Sequence, residues 1–357
     1  MSDAPAPTAG PEATSAGPVE RVNRFQQRHR VLGFPLAVFY KYVDDGGGNL
    51  AAQITYYAFV SLFPLLLLAS TILGFVLQGN PDLQQRLLDS ALSQLPVVGD
   101  DLQRPDGLGG GALGVVIGIA GALYGGMGVG LAVQNAANAA WTVPRNERGN
   151  PFALRGRSIV LLSVIGADVV GTSVLAGVVG AADFLGPVAG VAVLISTLAV
   201  HAAAFGFVFR FAARRDLSWT DVAPGAIAAA VAWLGLQYVG VAYVGRTVNS
   251  AGGTNGVFAV VLGLLAFLYL TSVVLMLCME VNVVRVDRLW PRTLLTPFTD
   301  HVVLTDADKR SYTELATAQQ LKGFQRVEVA FDPSPAETQD GESETDPDSG
   351  GEGRGTA

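Results

Sequence analysis

The chain has 357 residues, half of them hydrophobic and only 15% charged, against roughly a quarter charged in ordinary soluble domains; this excludes a set of ordinary soluble domains and marks a membrane protein. Its net charge of -7 arises in residues 331–357, where eight acidic residues stand against Arg354 alone. The remainder balances at 22 basic and 22 acidic residues, which argues against a surface that tracks nucleic-acid phosphates, and a single cysteine, Cys278, excludes an intrachain disulfide or a cysteine-based zinc site.

Residues 1–23 are mostly Ala, Pro, Gly, Ser and Thr and lack the basic start and apolar core of a cleaved signal peptide. They are expected to be a disordered cytoplasmic tail. Residues 24–43 mix Arg24, Arg28, Arg30 and Lys41 with Phe25, Leu32, Leu36, Phe39 and Tyr40, the pattern of a helix lying in the headgroup layer, with Pro35 expected to break it. The first span runs from about Leu50 to Leu77, past the roughly 20 apolar residues a bilayer core requires, and contains Pro64. Leu83, Leu87, Leu88, Ala91, Leu92 and Leu95 recur at helical spacing, giving a second amphipathic helix at about 82–95 that ends at Pro96.

Further spans are expected at about Gly111 to Ala132 with a polar extension to Trp141, Ser158 to Ala181, Val188 to Arg210, Val222 to Gly245 and Thr254 to Val284. The fold class is therefore all-α, a polytopic domain over 24–290 with six transmembrane helices. A polar cytoplasmic segment follows over 291–330, with a short helix around Ser311 to Lys322, and then the acidic disordered tail of 331–357. Basic residues are retained on the cytoplasmic side, and 20 of the 23 Lys and Arg fall on one side of this six-helix topology. Both termini are thus expected in the cytoplasm. Gly114 and Gly118, Gly121 and Gly125, and Gly126 and Gly130 each stand four apart, a spacing that lets helices approach closely.

Ionisable side chains inside spans are costly and mark interiors, cavities or partners. Asp168 and His201 come to similar depth if their helices form a hairpin about Phe184, and a carboxylate beside an imidazole can exchange a proton. The competing reading is a buried pair that only fixes helix packing. Near the cytoplasmic boundary, Gln53 and Tyr57 on the first helix, Asn135 and Asn138 after the second, and Glu280 and Asn282 on the sixth stand at one level. They form a candidate polar mouth for a solute or a lipid headgroup; interfacial solvation is the alternative. Gly109, Gly111 and Gly114 have dinucleotide-loop spacing, but no strand precedes them. The three histidines, His29, His201 and His301, are far apart, so no metal site is expected. No cofactor is expected either.

Four stretches taken together resemble the YihY/BrkB family of bacterial inner-membrane proteins: Ala51-Ala52-Gln53-Ile54-Thr55-Tyr56-Tyr57-Ala58 leading into Ser61-Leu62-Phe63-Pro64; Trp219-Thr220-Asp221-Val222-Ala223-Pro224-Gly225-Ala226; the Gly-rich turn before the sixth span; and Glu280-Val281-Asn282. They bracket about residues 30–290. The resemblance implies a six-helix inner-membrane protein of poorly defined activity, with proposed links to envelope function and serum resistance, and adds no catalytic residue. Asp168 and His201 stand outside its pattern. Some members carry a ribonuclease label, yet this chain lacks a metal cluster, an acid and base constellation and a basic groove, so no enzyme is expected. Membrane lipids are the expected partners. Transport or flipping of a small solute or lipid component is one reading; a scaffold for envelope assembly that binds an envelope or cytosolic protein is the other.

Overall fold

The computed structural model describes residues 18–76, 111–180, 186–248 and 254–333. Among them the regular elements are helices: α1 (Pro18–Arg28), α2 (Arg30–Asp44), α3 (Gly47–Val76), α4 (Gly111–Ala140), α5 (Pro151–Gly180), α6 (Gly186–Ala212), α7 (Trp219–Val248), α8 (Thr254–Val286) and α9 (Asp306–Thr317). Against an expectation of six spans, four helices among the described residues hold stretches long and apolar enough to cross a membrane: Pro151–Leu175, Gly190–Ala212, Trp219–Gly240 and Val261–Val286. Large apolar side chains such as Val170, Ile195, Val239 and Leu262 point outward from these four and stay exposed, which suits a surface solvated by lipid tails rather than water. The expected helix at 82–95 and the tail from 334 onward lie outside the described residues.

The six long helices close into a ring, because each of α3 to α8 packs on its successor and α8 returns to α3. Helix α4 can sit tightly between its neighbours because its glycines face both of them. A Cβ at Gly121 would come within 2.6 Å of the Pro64 ring, one at Gly125 within 2.5 Å of Ser61 and one at Gly128 within 2.1 Å of the Tyr57 ring, all on α3. On the other side, a Cβ at Gly130 would meet Ser158 of α5 at 2.6 Å. Glycine spacing thus converts directly into close helix approach, and Gln134 adds a buried cross-link to α5 through the Ser158 hydroxyl at 2.9 Å and the Leu154 carbonyl at 3.0 Å.

The amphipathic segment before α3 is broken at His29, whose backbone is extended at φ -111° and ψ 102°, and not at Pro35, which lies inside α2. The carbonyl that Pro35 leaves without its amide partner belongs to Val31, a residue 83% exposed, so solvent or headgroups can satisfy it. The short helix expected at Ser311 to Lys322 starts earlier, at Asp306. Its start is set by a capping box in which Thr305 accepts from the Asp308 amide while the Asp308 carboxylate accepts from the Thr305 amide.

At one end of the ring the polar parts of the chain converge. Gln26 of α1 donates to the Arg292 carbonyl at 2.7 Å and the Leu294 amide donates to Asn23 at 2.8 Å. The Arg145 and Asn146 amides, in the α4–α5 connection, donate to the Ala318 and Gln320 carbonyls after α9. Arg215 in the α6–α7 turn holds Asp287 through two bonds of 2.7 and 2.8 Å.

Candidate functional site

At this end three ionisable side chains are removed from solvent together. Lys41 on α2 and Asp45 just after it form an ion pair with both side chains 1% exposed, and Glu280 of α8 is fully buried. The pairing is a consequence of local geometry, since residues four apart lie on one helix face. Lys41 Nζ also donates to the Ala140 carbonyl at the end of α4, at 3.1 Å. Burial alone would lower the Lys41 pKa, but the Glu280 and Asp45 carboxylates outweigh it and hold the ammonium above the ordinary lysine value. Burial pushes the Asp45 carboxyl above the usual range, with Lys41 pulling the other way.

The cluster is short of donors. Asp45 Oδ1 and both Glu280 oxygens are buried and accept from no N–H or hydroxyl donor, while the two carboxyls lie within hydrogen-bonding reach of each other. Two carboxyls against one ammonium are neutral only when they carry one proton between them, and that proton would also supply a missing O–H donor. The arrangement can therefore hold and release a proton inside the protein.

The second polar pair also forms. His201 Nδ1 on α6 lies 2.9 and 3.1 Å from the two Asp168 oxygens on α5, with His201 2% exposed and Asp168 15%. The hairpin of α5 and α6 brings them to one level, and the helix faces agree.

The remaining mouth residues divide into separate groups. Gln53 and Asn135 meet at 3.3 Å on the α3–α4 face, where Asn135 also accepts from Arg148 at 3.4 Å. Tyr57 packs over Gly128 on the same face. Asn138 is buried and accepts from the Arg214 amide at 2.8 Å, anchoring the α6–α7 turn. Asn282 is buried and accepts from the Gly225 amide at 2.7 Å. That last bond joins two of the four stretches that carry the family resemblance. A Cβ at residue 225 would lie 2.1 Å from the Cys278 carbonyl and 2.4 Å from the Asn282 amide nitrogen, so α7 meets α8 there backbone to backbone. Gly225→Ala is expected to cost about 1–3 kcal/mol, the usual range for overpacking, read as a lower apparent melting temperature of the purified protein.

Lys41 and Asp45 were legible only in part, because the Lys-x-x-x-Asp spacing is in the sequence but its burial against Glu280 is not. Arg292 carries no sequence signal of its position: it is fully buried, paired with Asp44 at 2.9 Å and with Asp308, and bonded to Ser311 at 3.2 Å.

These features define an all-helical membrane protein with buried ionisable groups within and beside its bundle. The chain belongs to the family described as virulence factor BrkB, which matches residues 38–294. Over 72 residues it is 32% identical to an uncharacterized protein of Dickeya dadantii (strain 3937), a similarity that covers 19% of this chain and 22% of that relative's length. No solved structure matches it.

Proposed function

We propose that the protein moves a small polar solute or a lipid component across the bacterial cytoplasmic membrane, using the Glu280–Asp45–Lys41 cluster to bind and release a proton. The observation that carries this reading is the set of three buried carboxyl oxygens without donors beside a buried ammonium. Intramembrane ionisable groups are expensive and persist where a pathway uses them. Asp168 and His201 supply a second proton-exchanging pair deeper in the same ring.

The membrane topology that goes with it has six spans. Helices α3 and α4 are 30 residues each and contain no Asp, Glu, Lys or Arg, and 30 residues reach about 45 Å at helical rise, more than a bilayer core of roughly 30 Å. An even number of spans puts both ends on one side, and the gathering of α1, α2 and the segment after α8 at one end of the ring supports that. The abundance of Lys and Arg in those connections favours the cytoplasm as that side.

Glu280→Gln keeps the size of the side chain and offers an N–H donor to Asp45, so the fold is expected to persist while transport falls at least tenfold. Native mass spectra of the purified chain in lipid nanodiscs, with and without this substitution, would look for a bound species enriched over bulk lipid. Loss of such a species in the variant supports the transport reading. Its absence from both forms sinks it.

A scaffold role is favoured by a different observation: Phe298 is 80% exposed and Phe324 92% exposed on the segment that follows α8. Crosslinking from these positions that returns one stoichiometric protein partner would support that reading.

A further inference from the structure

Away from the Glu280 cluster, the start of α5, the end of α6 and the α6–α7 turn enclose a cleft of about 610 Å³, within the size range of ligand clefts. Four guanidinium groups line it, those of Arg157, Arg210, Arg214 and Arg215, against two acidic side chains, Glu147 and Asp216. Among the described residues, only Arg215 of the four has a carboxylate partner, Asp287. Arg157 donates to the Phe211 and Ala213 carbonyls and lies 4.4 Å over the Phe211 ring. Arg210 donates to the Leu217 carbonyl at 2.6 Å and stands 5.3 Å from the Trp219 ring. Neutral carbonyls and ring faces orient these cations without neutralising them.

Arg214 is the least satisfied. No ion pair or side-chain hydrogen bond holds its guanidinium among the described residues, and the Nε atoms of Arg214 and Arg157 are both buried without an acceptor. Gly149 makes room for this guanidinium, since a Cβ there would lie 2.2 Å from Nη2. A half-buried cation with an open fork of N–H donors is matched by an oxyanion with several acceptor oxygens.

We infer that this cleft binds an anionic phosphate group, supplied by a lipid headgroup or by free phosphate, with Arg214 as its central contact. The surroundings favour the lipid. Trp219, 51% exposed, lines the cleft, and Phe152, 81% exposed at the start of α5, with the outward Ile159 and Val160, forms an apolar surface along that helix. Aromatic side chains beside basic ones are the composition of the membrane interface, where acyl chains can lie along α5 while the phosphate enters the cleft. This site is distinct from the Glu280 cluster and does not depend on the transport reading.

The test titrates the purified full-length chain in detergent with phosphatidylglycerol, with phosphatidylcholine and with inorganic phosphate, reading bound adducts by native mass spectrometry. Phosphatidylglycerol is expected to bind in preference to the net-neutral phosphatidylcholine, and Arg214→Gln to weaken it about tenfold. Glu147→Gln removes a repelling charge from the rim and is expected to tighten binding about twofold, a gain that misfolding cannot imitate. If inorganic phosphate binds with the same sensitivity to Arg214→Gln while the two lipids bind alike, the phosphate site stands and its ligand is the free ion. If the lipids bind alike and inorganic phosphate shows no specific adduct, or if wild type, Arg214→Gln and Glu147→Gln all bind phosphatidylglycerol equally, the inference is overturned.

Discussion

Replacing Arg292 by Met is expected to cost about 3–5 kcal/mol, the range seen when one partner of a buried ion pair is removed. Arg292 is held by Asp44 at the end of α2, by Asp308 in the capping box of α9 and by Ser311, and its guanidinium lies 5.3 Å from the Tyr312 ring and 6.0 Å from that of Tyr40. Asp308 is fully buried, and its carboxylate also accepts from the Thr293 and Thr305 amides at 3.0 Å each. Removing Arg292 would leave this buried carboxylate without its cationic partner. The expected result is detachment of α9 from α2, visible as protease cleavage between α8 and α9 under conditions where the wild type resists it. Arg292→Lys keeps the charge but cannot reach Asp44, Asp308 and Ser311 with one rigid fork, so its effect should be intermediate. Equal protease resistance of all three proteins would remove Arg292 from the account of how this end of the ring is closed.

The second large effect is expected at Lys41. Lys41→Met leaves Asp45 and Glu280 buried without a cation, again a loss on the order of 3–5 kcal/mol at neutral pH. Its pH dependence distinguishes this from simple loss of packing. Burial already raises the Asp45 carboxyl while Lys41 opposes the rise, so without Lys41 the raised value climbs further. A carboxyl raised in the folded state contributes stability that is fully present below its unfolded value of about 4 and is lost as pH rises through its folded value. The variant should therefore approach wild type near pH 4 and fall furthest behind it near pH 8, read as apparent melting temperature across that range. In the wild type, Lys41 itself is raised, so its contribution persists up to its ordinary value of about 10.4 and is lost only as pH climbs beyond. Lys41→Met combined with Glu280→Gln removes the ammonium together with one of the two carboxyls it serves, and the double variant should be more stable than the two single effects added. A pH-independent deficit, or simple additivity, would show that the three groups do not act as a charge cluster.

The helices themselves were largely open to reading along the chain. Apolar runs longer than a bilayer core, Pro and Gly at their ends and the bias of Lys and Arg among connections are local or additive properties, and α5 to α8 fall close to where hydropathy puts them. The start of α9 is signalled too, by Thr305 and Asp308, five residues before the expected start at Ser311. The meeting of Asp168 with His201 followed from hairpin arithmetic for depth, while its azimuth did not.

What hydropathy leaves open is rotation of each helix about its axis, where one residue turns a side chain by about 100°. That angle is set by which small residues allow contact: Gly121, Gly125 and Gly128 toward α3, Gly130 toward α5, Gly225 against Cys278. Once those contacts are made, Glu280 faces Lys41 and Asp45, Asn282 faces Gly225, and four arginines from α5, α6 and the turn after it share one cleft. Membrane residence was legible in the chain because it sums over consecutive residues; the polar sites were decided by tertiary packing, because their members are far apart in sequence and meet only through helix contacts that charge and hydropathy do not encode.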